Sequence, residues 1–416
     1  MMTWLNLAVR NLFRNGRRSG FTVLAIGLGF LAVNVLGGFT NYMFTSLQHG
    51  YIYGEANGHL TVFRRGFLDR GKLDPTRFLL DAAAVQGIRT VLRQHPEVLL
   101  ATPQLQISGL LSNGQVSTIF LASGRVPSDV AAIAALGSAG ADRVRRFDGA
   151  PLSDARSFGI GVSHGLARQL DLALGATAVA MAPTVSGQIN ALDAQLVQLI
   201  DAPVEALDDK LATVPLAFAQ ALYDTASVDR VTVVLAPGSD PATVRAALAR
   251  EMAHAGLAVE VRTWEELSPF YTKVKKMFDV IFLISFLIVF TIVVMSVVNT
   301  FTMAVLERTR EIGTLRAIGM RRRGIVGLFA LESAVLAGFG TLLGAALTLG
   351  VVELTAWLQP TWIPPQMARR VPLQIHFVPL YWLASCALLA VLSVGSAVLP
   401  ARRAARMPIT GAMGFA

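Results

Sequence analysis

Apolar residues run almost without interruption through four windows of this 416-residue chain. No Asp, Glu, Lys or Arg occurs in Ser19–Gly54, in Val280–Leu306 or in Val371–Ala401, and Gly324–Val352 holds a single one, Glu332. A bilayer core takes about 20 apolar residues per helix, so each window predicts one span, over 20–44, 278–304, 325–352 and 379–400. Ahead of the first span Leu5, Val9, Leu12 and Phe13 recur at helical spacing while Arg10, Arg14 and Arg17 point elsewhere. That pattern predicts an amphipathic helix over 1–19 lying on the membrane surface. Gly27, Gly29, Gly37 and Gly38 within the first span permit close approach of a neighbouring helix.

Between the first two spans the pattern changes. Residues 45–277 alternate strand-like and helix-like stretches, which predicts a mixed α/β domain. RVTVVLA (Arg230–Ala236) and LAVEVR (Leu257–Arg262) flank a helical stretch with Asp240 as cap, Pro241 at its first position and Gly256 at its end, a β-α-β unit. HLTVF (59–63) predicts a further strand, and QLQISGLL (104–111) with VSTIFLAS (116–123) predicts a hairpin around Asn113-Gly114. The stretch SNGQVSTIFLASGRVPSDVAAIAALGSAGADR (112–143) shifts to Ala/Gly/Ser and predicts a mobile loop or a subdomain boundary. A capping box at Thr263-Trp264-Glu265-Glu266 opens a helix that is expected to run from about 263, past Pro269, into the second span. It would form a stalk carrying Trp264, Glu266 and Phe270.

Composition agrees, with 53% hydrophobic residues and only 15% charged. The net charge of +9 raises the question of nucleic acid, and its location answers it. Residues 1–19 carry four Arg; 305–323 carry six Arg and two Glu; 401–416 carry three Arg; residues 46–277 carry 21 basic and 22 acidic side chains, a net of −1. No polyanion-binding surface follows from that distribution, whereas the positive-inside rule puts both termini and the 305–324 loop in the cytoplasm. The 45–277 domain and a short 353–378 loop then lie outside, with 401–416 as a cytoplasmic tail. The lone Cys386 falls in the fourth span, so the external domain is held by its own core without a disulfide. The apolar run after Arg18 is too long for a cleaved signal and reads as a retained anchor.

Two short motifs suggest chemistry. GFLDRGKL (Gly66–Leu73) matches a phosphate-binding loop up to Lys72 but has Leu73 where a Mg²⁺-ligating hydroxyl is required. GVSHG (Gly161–Gly165) matches a nucleophile elbow centred on Ser163, which defines a membrane-anchored serine hydrolase as one functional alternative; the other reading is a plain strand-to-helix turn. The six histidines are far apart and no metal-ligand spacing appears. Glu332 and Glu353 are ionisable groups at or near membrane depth, Glu332 about two turns into its span, where it either snorkels or pairs near the interface.

The 305–324 loop is basic yet amphipathic. Ile312, Leu315 and Ile318 recur every three residues, Glu307 with Arg310 or Glu311 supports a helix, and Gly319 stops it. A solvated hairpin needs no apolar stripe flanked by acids, so the pattern predicts a protein partner.

These residues carry a resemblance. VNTFTMAVLERTREIGTLRAIGMRRRGIVGLFALESAVLAGFGTLLG (Val298–Gly344), the later LPARRAARMP, and WLNLAVRNLFRN, GHLTVF and GIGVSHGLARQLDLALGA earlier in the chain resemble the FtsX-like permeases, the MacB and LolC/LolE superfamily of ABC transporters. The resemblance implies one span before the external domain and three after it, in the inner membrane. It implies that Arg308–Ile318 is a coupling helix docking on a separate ATPase subunit, with Glu307, Arg308, Arg310, Glu311, Ile312, Gly313, Leu315 and Arg316 at the contact. ATP and Mg²⁺ would be bound by that subunit, with no cofactor in this chain. It further implies a second permease, identical or homologous, and ATP-driven movement passed through the stalk to the external domain. The expected function is release or export of a lipoprotein or other amphiphile, with a lipoprotein chaperone as periplasmic partner. Alternatives are an efflux permease with a periplasmic adaptor and a regulator of cell-wall hydrolases.

Overall fold

The first charge-free run forms one helix, α1 (Gly16–His49), which ends in a π-helical turn over Gly50–Gly54. It belongs to a computed structural model that describes residues 16–71, 73–137, 147–362 and 371–407 and divides into two units, one helical and one α/β. The expected surface helix over 1–19 lies, up to residue 15, outside the described residues; 16–19 are the first turn of α1.

Thr45–Lys273 forms the body of the α/β unit. In chain order its elements are β1 (Leu60–Arg64), α2 (Ala82–Leu92), β2 (Val98–Ser112), β3 (Ser117–Arg125), α3 (Pro127–Gly137), β4 (Phe147–Gly149), β5 (Gly159–Ser163), α4 (His164–Gln169), β6 (Thr177–Pro183), β7 (Ile189–Ile200), β8 (Leu211–Pro215), α5 (Leu216–Tyr223), β9 (Arg230–Leu235), α6 (Pro241–His254) and β10 (Val259–Thr263). They build one ten-stranded sheet in the order β10-β1-β9-β2-β3-β8-β5-β7-β4, with β6 bridging β2 and β7. The hairpin forms as its turn residues predict: Ser112 pairs with Ser117, and the Asn113 carboxamide oxygen accepts the Gln115 and Val116 N–H groups. The β9-α6-β10 unit also forms, with Asp240 accepting the Ala242 and Thr243 N–H groups, but β1 is inserted antiparallel between its two strands. The Ala-rich stretch expected as a loop is helix α3 as far as Gly137.

Two cores result. On the β10-β1-β9 side Leu60, Val62, Val231 and Val233 pack under Ile88 and Leu92 of α2 and Leu248 and Met252 of α6. On the other side Phe120, Val162, Leu196 and Val214 pack under Leu166 of α4 and Phe218 and Leu222 of α5.

The expected continuous stalk is broken. Thr263 caps a single turn, Trp264–Leu267, by accepting the Glu266 N–H, and Ser268 then leaves helical geometry (φ −115°, ψ 77°). Pro269 is the cause, since its ring disfavours helical backbone at the residue before it and it has no N–H to give. It opens a new helix instead, α7 (Pro269–Glu307). After α7 come α8 (Thr309–Ala317), α9 (Arg322–Leu358) and α10 (Pro379–Arg406). These helices outrun the apolar windows that predicted them because polar flanking turns continue the hydrogen-bond ladder; α10 takes in the first six residues of the expected tail.

Among the described residues four helices, Gly16–Gly54, Tyr271–Glu307, Arg322–Leu358 and Pro379–Arg406, are long and apolar enough to cross a membrane. In the helical unit the glycines act as close-approach points. A Cβ at Gly340 would lie 2.6 Å from the Ile26 Cβ, one at Gly344 2.6 Å from the Phe30 Cβ, and one at Gly29 2.9 Å from Val289, so α1 packs tightly on both α9 and α7.

His59 gives the α/β unit a pH dependence. Its Nδ1 accepts the Leu235 N–H at 3.1 Å, which requires the neutral ring, and burial, with His49 nearby, pushes its pKa down to about 4 from 6.5. The unfolded chain binds that proton more readily than the folded one. His59 therefore contributes stability in full above pH 6.5 that is lost as pH falls through about 4. Hydrogen exchange of the β1/β9 ladder, corrected for intrinsic rates, should show lower protection at about pH 4.5 than at about pH 7. Equal protection at both would remove His59 from this role.

Candidate functional site

The basic loop between α7 and α9 carries the site. Arg308 interrupts the α7 ladder (φ −110°, ψ 16°), and α8 follows at once. Gly319, at φ +102°, ends α8 in the left-handed conformation, returning the Met320 N–H to the Leu315 carbonyl and the Gly319 N–H to that of Arg316.

One face of α8 is fastened to its own unit. Ile312 is 6% exposed and packs with Val305, Ile325, Phe329, Ala401 and Ala404; Thr309 and Gly313 are buried beside it. The Thr309 hydroxyl donates to the carbonyls of Val305 and Leu306, closing the end of α7. Arg308, 8% exposed, donates through Nη1 to Glu332 Oε1 of α9 at 3.0 Å, where Glu332 is 3% exposed. Its Nε lies 3.8 Å from Glu311 Oε2. The Arg316 guanidinium donates to the Met407 carbonyl at the end of α10. Glu307 accepts from Arg18 of α1 at 2.7 Å.

The other face is open. Arg310, Glu311, Thr314 and Ala317 are exposed, and Ile318 is 80% exposed. Of the residues expected at a partner contact, Glu307, Arg310 and Glu311 are thus on the surface, Leu315 and Arg316 are half-buried, and Arg308, Ile312 and Gly313 are inside. The expectation that Ile312 meets a partner is corrected by helix geometry. Each step of three residues turns the helix by about 300°, so the stripe slips by about 60° per step and Ile318 points about 120° away from Ile312. Of the two expectations for Glu332, snorkelling or pairing, the structure shows pairing, with Arg308 as a partner that the sequence pattern does not name. The signal for that pair was present in the one acidic residue of an otherwise charge-free window, facing a hairpin return from an arginine 24 residues earlier.

The remaining sequence candidates find structural roles. Trp264 is buried, its ring 4.5 Å from that of Tyr271 and 6.0 Å from that of Tyr51, and Glu266 pairs with Arg245 and Arg262, so both tie the capped turn to the α/β unit. The side chain of Phe270 lies outside the described set. Ser163 ends β5 and is fully buried, its hydroxyl donating to the carbonyls of Asp208 at 2.7 Å and Leu211 at 3.1 Å. Gly165 is required because a Cβ there would come 2.3 Å from the Asp208 carbonyl oxygen. The GVSHG motif is therefore a strand-to-helix turn, and a buried hydroxyl committed to two carbonyls is not a nucleophile. At the phosphate-loop match, Phe67 fills the space over Gly71, Leu73 is exposed, and Lys72 lies outside the described residues.

A model of the MacB-like periplasmic core domain matches residues 19–251, and one of the FtsX-like permease C-terminal region matches residues 282–409. A macrolide export ATP-binding/permease protein, MacB, of Wolinella succinogenes is 35% identical over 111 residues, 27% of this chain and 15% of that protein. MacB of Agrobacterium fabrum is 28% identical over 183 residues, 44% of this chain and 26% of its own length. An uncharacterized ABC transporter permease of Bacillus subtilis, YvrN, is 39% identical over 64 residues, 15% of this chain and 16% of its own. The matches thus span a small part of these relatives. Among solved structures, the periplasmic region of MacB from Actinobacillus actinomycetemcomitans covers 53% of this chain and 92% of itself at 13% identity and a TM-score of 0.35. The extracellular domain of the transporter YknZ from Gram-positive bacteria covers 50% of this chain and 100% of itself at 14% identity and a TM-score of 0.33.

Two outcomes separate the buried from the exposed residues. Ile312→Ala should destabilise the protein in detergent by about 2 kcal/mol or more, whereas Ile318→Ala should stay within about 0.5 kcal/mol of the parent in the same unfolding assay. Ser163→Ala should lower stability by about 1–2 kcal/mol, and an activated fluorophosphonate should not label the parent at Ser163. Labelling there would restore the hydrolase reading.

Proposed function

Because this chain belongs to the FtsX-like permeases of ABC transporters and carries a MacB-like periplasmic core domain, we propose that it is the membrane subunit on which a separate ATPase acts through α8. The observation that carries this reading is the two-sided character of α8. Its inward face is held by Ile312, the Arg308–Glu332 pair and Arg316, while its outward face presents Ile318 and Glu311 to solvent. A helix fastened on one side transmits a push, whereas a loose hairpin absorbs it. ATP and Mg²⁺ belong to the partner.

In this reading the chain is a multi-pass inner-membrane protein with both termini and α8 in the cytoplasm, as the arginine-rich ends favour. The 45–277 domain lies in the periplasm, with one span before it and three after, and a second copy or homologous permease completes the transporter. ATP-driven movement reaches the periplasmic domain and expels a lipoprotein or another amphiphile from the outer leaflet. The four apolar windows hold one charged residue, Glu332, and it is paired with Arg308, which suits mechanical transmission better than a hydrophilic pore. A lipoprotein chaperone would receive that cargo. The second reading, efflux with a periplasmic adaptor, is favoured by the relatives named as macrolide exporters.

Glu311→Lys and Ile318→Asp should each weaken co-purification of the ATPase at least about tenfold, since reversing a charge or adding one inside a desolvated contact costs about 2–5 kcal/mol. Circular dichroism should show both variants folded. Undiminished co-purification and undiminished stimulated ATP hydrolysis in both would reduce α8 to a topogenic basic hairpin.

A further inference from the structure

We infer that Arg308 and Glu332 form a pin that makes α8 and α9 move as one body, so that a push on α8 enters the membrane through α9 while α7 bends at Arg308. The inference rests on reading α8 as the docking helix. Three helices converge on this one guanidinium. Arg308 stands where the α7 ladder is interrupted, directly before α8, and its Nη1 reaches Glu332 inside α9 at 3.0 Å. Its Nε faces Glu311 on the open side of α8, at 3.8 Å.

The two contacts differ in kind. The first is a charge-assisted hydrogen bond between groups 8% and 3% exposed; the second exceeds hydrogen-bond length and involves a half-exposed carboxylate. A cation on a docking partner can therefore draw Glu311 away while Arg308 keeps Glu332. Separating Arg308 from Glu332 would leave two charges in a poorly solvated site, which is far less favourable than moving α9 along. α7 is tied to α8 by neutral contacts, the Thr309 hydroxyl on the Val305 and Leu306 carbonyls and the Arg308 N–H on that of Ala304, and these yield to bending at less cost than a buried ion pair yields to separation.

The test uses the full chain with Cys386→Ala, in nanodiscs, spin-labelled at the exposed positions Thr314→Cys on α8 and Gly327→Cys on α9. The parent should give one narrow α8–α9 distance that persists when the co-purifying ATPase and a non-hydrolysable ATP analogue are added. Glu332→Gln should broaden the distance and reduce permease-stimulated ATP hydrolysis by about 5–150-fold, the range of ordinary site-to-site coupling, with the ATPase still bound. The exchange Arg308→Glu with Glu332→Arg should restore both. A narrow distance with full stimulation in Glu332→Gln would overturn the pin, as would an exchanged pair that fails to fold or folds without restoring the distance. Retention of the ATPase by Ile318→Asp is a separate failure, which removes the docking reading and leaves the distance result to judge the pin.

Discussion

A guanidinium and a carboxylate buried together hold the foot of the helical unit. Arg308 and Glu332 are each nearly inaccessible, and neither is tolerable there without an opposite charge. Losing one partner of such a pair costs about 3–5 kcal/mol, mostly the penalty of the charge left behind. With the pair made, α8 is drawn against an otherwise apolar cluster from α7, α9 and α10, and Ile312 completes the packing. The Arg316 guanidinium adds a second tether, to the Met407 carbonyl at the end of α10. Only then does α8 have a defined outward face, and only a defined face offers a partner a specific surface.

The α/β unit depends on a comparable constraint in its backbone. β1 is buried on both faces and takes its two neighbours from the far end of the unit, Leu60 pairing with Thr263 on one side and Val233 on the other. The segment that enters the unit and the segment that leaves it are thereby ladder neighbours, reinforced by the Tyr51–Trp264–Tyr271 rings. A sheet built this way resists being pulled apart at that end, since any separation must break consecutive hydrogen bonds together. Its polar motifs support that structural reading, with Ser163 spent on backbone carbonyls and Glu266 on two arginines.

Local patterns were legible in the sequence wherever the physics is local. Charge-free windows mark apolar helices because hydropathy is additive along the chain; Asn113-Gly114 marks a hairpin because the side chain and the glycine each supply what the turn needs; Asp240-Pro241 marks a helix start for the same reason. Even the stop at Gly319 follows from a steric rule that acts within a few residues. Ser268 marks where two local signals conflict. The capping box at Thr263 and the helix-forming residues after Pro269 are both genuine signals, and the proline between them divides one expected helix into two.

What only the tertiary structure decided is which side of each element turns inward and with what it pairs. The stripe Ile312–Leu315–Ile318 spreads over about 120° of helix surface, so periodicity alone leaves both ends eligible for burial. The Glu332 pair and the alanines of α10 select Ile312, and Ile318 is left to solvent. In the same way nothing within HLTVF names β9 and β10 as its neighbours, and nothing around Glu332 names Arg308. Strand order and ion pairing join residues distant in sequence, and their energies arise from desolvation and shape at sites that exist only once the chain has folded.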